Sequence, residues 1–186
     1  MKEQSLKEPS VRLFFALWPD EQTVAQIMPW VHEAHALCGG RMMRPETLHV
    51  TLAFLGNTAV SRIPALCEVA QGWRAKVGEV ALQRYGRFAG PQVVWAGPEE
   101  DDCCTQWLGA LYDDLWARLE PMGWTRPAGP FRPHVSLLRK AGPGDVSALH
   151  RTELVWRPAQ CVLVASRPRE GGSDYEVLAC LAMDPL

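Results

Sequence analysis

The apolar positions along the chain fall into short β-like runs separated by helical ones. VRLFFALW at 11–18 is rich in β-formers and closed by Pro19, which predicts a strand. From Asp20, an N-cap candidate, to about Leu37, the residues Val24, Ile27, Met28 and Val31 recur at helical spacing and stop at Gly39-Gly40, so a helix is expected. A strand over 48–55 is expected to end at Gly56-Asn57, followed by an amphipathic helix over 61–77. Two strands, 79–88 and 92–97, read as a hairpin turning at Gly90-Pro91. A helix from about Cys103 to Leu119 carries Leu108, Leu111, Leu115 and Leu119 on one stripe. The proline-rich WTRPAGPFRP then delivers the chain into a strand at 134–138, and three more strands fit 152–156, 160–166 and 175–182. Strands and helices mix without strict βαβ alternation, so the expected class is α+β with mostly antiparallel sheets. Residues 1–10 read as a flexible tail and 11–186 as a single domain.

Composition narrows the chemistry. A net charge of -2 provides no global positive field to hold long nucleic acid through many phosphates, so any phosphate chemistry must be local. The basic residues are 15 Arg against 4 Lys, and the guanidinium fork suits phosphate, although a GC-rich genome produces the same bias. The polar start MKEQSLKEPS has no apolar signal core and no run approaches a membrane span, so a cytoplasmic protein with no membrane partner is expected. Its six cysteines (Cys38, Cys67, Cys103, Cys104, Cys161, Cys180) contain no CxxC pair and are expected to be reduced thiols.

The candidate chemistry lies in two nearly identical stretches, TLHVTLAFLG at 47–56 and FRPHVSLLRK at 131–140, which share His-Val-Thr/Ser-Leu. Strand alternation puts His49 and Thr51 on one face, and His134 and Ser136 on one face. Two such platforms facing across a cleft supply two imidazoles and two hydroxyls around one tetrahedral group. One imidazole can act as general base and the other as general acid, and the hydroxyls can donate to phosphate oxygens as charge builds. An acid and base with ordinary imidazole pKa values centre activity at about pH 6 to 8. A lone strand histidine is usually a satisfied core residue, but the repeated motif argues against that for both. Neither motif has Asp, Glu or Cys at ligand spacing, so no metal and no cofactor is expected. His32, His35 and Cys38 drift around their helix too far for tetrahedral ligation, and His150 has no neighbours that suggest a role.

HVTLAFLG and PHVSLLRKA resemble the two HxTx signatures of the two-histidine phosphoesterase superfamily, in particular the bacterial RNA 2',3'-cyclic phosphodiesterases also called 2'-5' RNA ligases. RLFFALWPD, QVVWAG and GPFRPHVSLLRKA are arranged as in that family, so the resemblance runs from about Val11 to Tyr175. It implies a bilobal, pseudo-twofold α+β fold with the histidines facing across a V-shaped groove and helices outside. It further implies metal-independent opening of a 2',3'-cyclic phosphate at an RNA end, tRNA fragments included, to leave a 2'-phosphate, with ligation as a reverse activity. His49 would donate a proton to the departing 3' oxygen, His134 would activate water, and Thr51 and Ser136 would hold the phosphate. Ser136 stands where Thr is usual, which keeps the hydroxyl and loses the methyl that fixes its rotamer.

Arg139 occupies a position where the family often has a basic residue. Strict alternation turns it away from His134, so it reaches phosphate only if the strand ends or twists first. Arg44 and Arg132 flank the motifs as candidates for RNA backbone, or as solvated loop charges. A monomer is expected. Hydrolysis of a small cyclic nucleotide or ADP-ribose cyclic phosphate would use the same residues, and a noncatalytic RNA-end-binding module is the alternative outside enzymes.

Overall fold

The computed structural model describes residues 8–99 and 105–186. In chain order the elements are β1 (Ser10–Trp18), α1 (Glu21–Cys38), β2 (Arg41–Met42), β3 (Val50–Ala59), α2 (Ile63–Gln71), β4 (Arg74–Val77), β5 (Val80–Leu82), β6 (Arg84–Phe88) and β7 (Val93–Gly97). They continue with α3 (Gln106–Leu119), β8 (Val135–Arg139), β9 (Leu154–Trp156), β10 (Gln160–Arg169) and β11 (Gly172–Pro185). Among the described residues nine strands form one sheet in the order β4-β11-β10-β1-β3-β8-β7-β6, with β2 added against β8. Every pairing is antiparallel except β11 with β4, and β5 and β9 form a separate ribbon. This is the α+β, mostly antiparallel class the sequence predicts.

The sheet has a thick side and a thin side. Leu13, Phe15 and Leu17 of β1 enter the large core, together with Leu52, Ala53, Leu137 and Leu138 and the inner faces of the helices. The helices cover that face because their apolar stripes match its pleat. Leu108, Leu111, Leu115 and Leu119 of α3 are all buried, as are Ile27, Trp30, Val31 and Ala34 of α1. Asp20 caps α1 by accepting from Thr23 N at 2.7 Å, a contact worth about 1 kcal/mol. The opposite face of β1 carries Phe14 and Ala16, which with Val162 and Val164 form a small second buried cluster, with Trp18 and Tyr175 packed against it.

Three element expectations are corrected. The second helix ends at Gln71, and Arg74–Val77 becomes a strand because its backbone is captured in parallel by 182–185 of β11. The 48–55 strand does not stop at Gly56: it runs to Ala59, with Gly56 absorbing a φ of 70° that few other residues adopt. The 79–88 strand splits into β5 and β6, and only β6 makes the expected hairpin with β7. The start of the third helix at Cys103, and Cys104 beside it, lie outside the described residues. Residues 8–10 of the expected tail are tied down. Glu8 Oε1 accepts from Ser61 N at 3.1 Å, the Pro9 carbonyl accepts from Val60 N, and Ser10 opens β1. Cys38, Cys67, Cys161 and Cys180 are free thiols, and no described helix is long and apolar enough to cross a membrane.

Candidate active site

The two halves of the sheet meet where β3 pairs with β8, through the single bridge Val50 to Val135. Extending that antiparallel register by one residue each way sets His49 beside Ser136 and Thr51 beside His134. A local twofold axis through the bridge therefore exchanges the two motifs. It places all four polar side chains on the thin face of the sheet, while Val50 and Val135 anchor in the core beneath.

Both imidazoles stand just before their strands begin, and each is fixed by the turn that leads into it. His49 Nδ1–H donates to the Thr47 carbonyl at 2.7 Å, and His134 Nδ1–H donates to the Arg132 carbonyl at 2.7 Å. Because a carbonyl can only accept, both neutral rings carry their proton on Nδ1 and keep a lone pair on Nε2. The turns that hold those carbonyls are set by proline. Pro45 opens the short 3-10 turn before His49, and Pro133 restricts Arg132 to extended backbone before His134. His49 Nε2 lies 3.0 Å from Thr51 Oγ1, which places ring and hydroxyl on one face. Trp95, paired with Ser136, lies 6.0 Å from the His134 ring and puts that pair on the same face.

Aromatic walls enclose both rings. His49 is stacked by Phe14 at 5.0 Å and Trp18 at 5.5 Å, with Tyr175 edge-on at 5.6 Å. His134 meets Phe88 edge-on at 4.9 Å and the tilted Trp95. Trp95 lies flat over Gly86, where a Cβ would come within 2.0 Å of the indole. Desolvation disfavours the imidazolium and pushes the His49 pKa down to about 4, with the charges of His134 and Arg139 adding to the shift. Burial likewise lowers His134, again with Arg139 adding to the effect. At neutral pH both imidazoles are thus neutral.

Arg139 returns to the groove through a feature that alternation alone does not give. Trp95 pairs with Ser136 but Val94 pairs with Leu138, so β8 carries one extra residue at this point. That bulge buries Leu137 and Leu138 together and swings Arg139 back to the face of His134 and Ser136. The same slip occurs in β3, where Ala16 pairs with Thr51 and Phe15 with Ala53; it buries Leu52 and Ala53 and brings Phe54 to the groove, 54% exposed. Phe54 and Arg139 are therefore equivalent positions in the two halves.

The groove beside His49 is a cleft of about 310 Å³ lined by Arg12, Arg41, Arg44 and Arg139 together with Thr51 and Tyr175. Arg44 lines it but is engaged elsewhere. It donates to the Ser173 carbonyl at 2.7 Å and pairs with Glu46 at 3.1 Å, fastening the β10–β11 hairpin to the turn before His49. Arg132 is exposed and lines a separate cleft with Arg84, Trp95 and Phe131; its link to the site is the carbonyl that orients His134. Among the described residues no three His, Cys, Asp or Glu gather to hold a metal. Sequence reasoning missed Phe14, Trp18 and Tyr175, which surround His49, and Arg12 and Arg41. The strand spacing of Arg12, Phe14 and Ala16 was the available signal for a second functional face.

Two imidazoles protonated on Nδ1 and two hydroxyls on one face of the sheet, related by a twofold axis, define a two-histidine phosphoesterase. The model of the 2'-5' RNA ligase superfamily matches residues 19–165, and the chain belongs to that family. The RNA 2',3'-cyclic phosphodiesterase of Escherichia coli is 31% identical over 136 residues, covering 73% of this chain and 75% of the relative. The protein of that name from Thermus thermophilus is 26% identical over 186 residues, covering 90% and 88%. The crystal structure of E. coli LigT complexed with 3'-AMP superposes with a TM-score of 0.77 at 27% identity, covering 94% of this chain and 99% of the other.

Proposed function

We infer that this chain is an RNA 2',3'-cyclic phosphodiesterase that opens the cyclic phosphate through His49 and His134. Two kinds of observation support the reading: the relatives of that name, and two imidazoles, each with its Nδ1 proton held by a carbonyl, set with two hydroxyls on one face of the sheet by the Val50–Val135 pairing. The second carries the chemistry.

A cyclic phosphate seated over the Val50–Val135 bridge has an imidazole on each side, as in-line displacement requires. His134 Nε2 takes a proton from water as the water oxygen bonds to phosphorus. The bond from phosphorus to the 3' oxygen breaks, and His49, in its imidazolium form, gives its Nε2 proton to that oxygen. The product carries a 2'-phosphate and a free 3' hydroxyl. Thr51 and Ser136 donate to the nonbridging oxygens, and Arg139 adds positive charge where the phosphorane becomes more negative. His49 must be protonated to act, and burial pushes its pKa down to about 4. The bound anion therefore has a task beyond being the substrate: its charge raises the pKa of His49. Attack by a 5' hydroxyl in place of water, with the same loss of the 3' oxygen, gives a 2'-5' linkage.

The test is a short RNA ending in a 2',3'-cyclic phosphate, incubated in EDTA, with products resolved by regiochemistry. Conversion to the 2'-phosphate is expected. A 3'-phosphate product, or activity abolished by EDTA, contradicts the reading.

A further inference from the structure

We propose that Arg12 and Arg41 form a second phosphate site, one nucleotide upstream of the reacting group, which makes an RNA chain a better substrate than a mononucleotide. The proposal rests on the function argued above and extends it to substrate length.

Most arginines of this protein already hold a carboxylate. Arg44, Arg74, Arg118, Arg126, Arg151, Arg157, Arg167 and Arg169 all do so. Arg12, Arg41 and Arg139 form no ion pair or side-chain hydrogen bond among the described residues, and all three line the cleft beside His49. Arg41 lies directly opposite Arg139 in the β2–β8 pairing. Like charges in that position repel and weaken a strand pair unless an anion sits between them. The guanidinium of Arg41 is held toward the cleft against Gly172 of the β10–β11 hairpin, where an added Cβ would lie 3.3 Å from Nη1.

Arg12 approaches from the other side of β3. On β1 the groove face presents Ala16 beside Thr51, then Phe14 beside Phe54, then Arg12 beside Ser166. Arg12 stands four residue steps from Ala16, about 13 Å of strand. Adjacent phosphates of an RNA strand stand closer together than this, and the Arg12 side chain is long enough to reach back along the groove and span the remainder. The middle of the interval is paved by Phe14 and the exposed Phe54, a surface on which a base can stack. A mononucleoside cyclic phosphate fills the reacting end alone. A chain with one more nucleotide also places a phosphodiester at the arginines.

The experiment compares kcat/KM for a nucleoside 2',3'-cyclic phosphate with that for a trinucleotide ending in the same group, using wild type, Arg12→Gln, Arg41→Gln and the double variant. Wild type should favour the trinucleotide by about tenfold or more, the scale of one charge-assisted contact. The double variant should reduce that ratio at least tenfold, chiefly through KM. Raising the salt concentration should erode the wild-type preference and barely change that of the double variant. A wild-type ratio near one, or a ratio kept within twofold in the double variant, overturns the proposal while leaving the cyclic phosphodiesterase reading intact. A wild type inert on both substrates overturns both.

Discussion

The halves of the groove carry the same motif and differ in how tightly they enclose it. Around His49, two rings stack and a third closes the edge, and Thr51 bonds Nε2 at 3.0 Å. Around His134, one ring stands edge-on and another is tilted, and Ser136 makes no such bond with the imidazole. The bulges that follow the motifs are alike, yet one presents a phenylalanine and the other an arginine. A duplicated scaffold thus sets two imidazoles at equivalent positions, while the unlike walls give them different surroundings.

The sharpest way to break the comparison is to remove each imidazole. His49→Ala and His134→Ala should each lower turnover by at least about 10², the scale of a general acid or base. Circular dichroism should show the fold retained, since both side chains lie on the thin face of the sheet. Full activity in either variant would end the two-histidine account.

Removing the hydroxyls should cost less, about tenfold to 10³, because each takes away one donor to the developing charge. Thr51→Val should be the more damaging, since it also deletes the partner of His49 Nε2, and Ser136→Thr should be nearly neutral. Steady-state kinetics with a cyclic-phosphate RNA measure both. Equal losses at Thr51 and Ser136 would show that the His49 contact has no consequence.

At the equivalent bulge positions, Arg139→Gln should reduce kcat/KM by about tenfold or more, the scale of a charge-assisted hydrogen bond. Phe54→Ala should affect the mononucleotide less than Arg139→Gln does. A larger effect at Phe54 on the mononucleotide would invert the assignment of the charged and apolar walls.

The smallest expected effect is on stability. The folded pKa of His49, about 4, lies below the ordinary imidazole value, so between about pH 4 and 6.5 the unfolded chain binds more protons than the folded one. Stability from this group is fully present above about pH 6.5 and is lost as pH falls through that window. His49→Gln should therefore flatten the fall of melting temperature on acidification. An unchanged slope would mean that the aromatic enclosure does not desolvate the ring.

The sequence already exposed the features that repeat or that obey a period. The two His-Val-Thr/Ser-Leu runs, the α3 leucine stripe and the Asp20 cap are local signals, and each appears in the fold as its spacing implies. What stayed hidden depends on partners distant in the chain. Arg74–Val77 has the composition of a helix end and becomes a strand only because β11 lies beside it. Arg139 points into the groove because of a bulge, which is a two-strand property that single-strand alternation cannot express. The expected pH range near neutrality assumed ordinary imidazoles, whereas Phe14, Trp18 and Tyr175 reach His49 from β1 and β11 and lower its pKa. Under the roles proposed for the two histidines, both limbs of the free enzyme should move toward acid, and a bound anion should return the limb of His49 toward neutral pH in turnover.

The division of roles between the halves is tested most directly by the residual activity of His49→Ala and His134→Ala across pH, with EDTA present throughout. If His49 is the acid and His134 the base, the first variant loses the alkaline limb of the kcat profile and the second loses the acidic limb. The two groups interact, so the assignment rests on the variants and not on the wild-type profile alone. Loss of the same limb in both variants, or exchange of the two limbs, would contradict the roles assigned here.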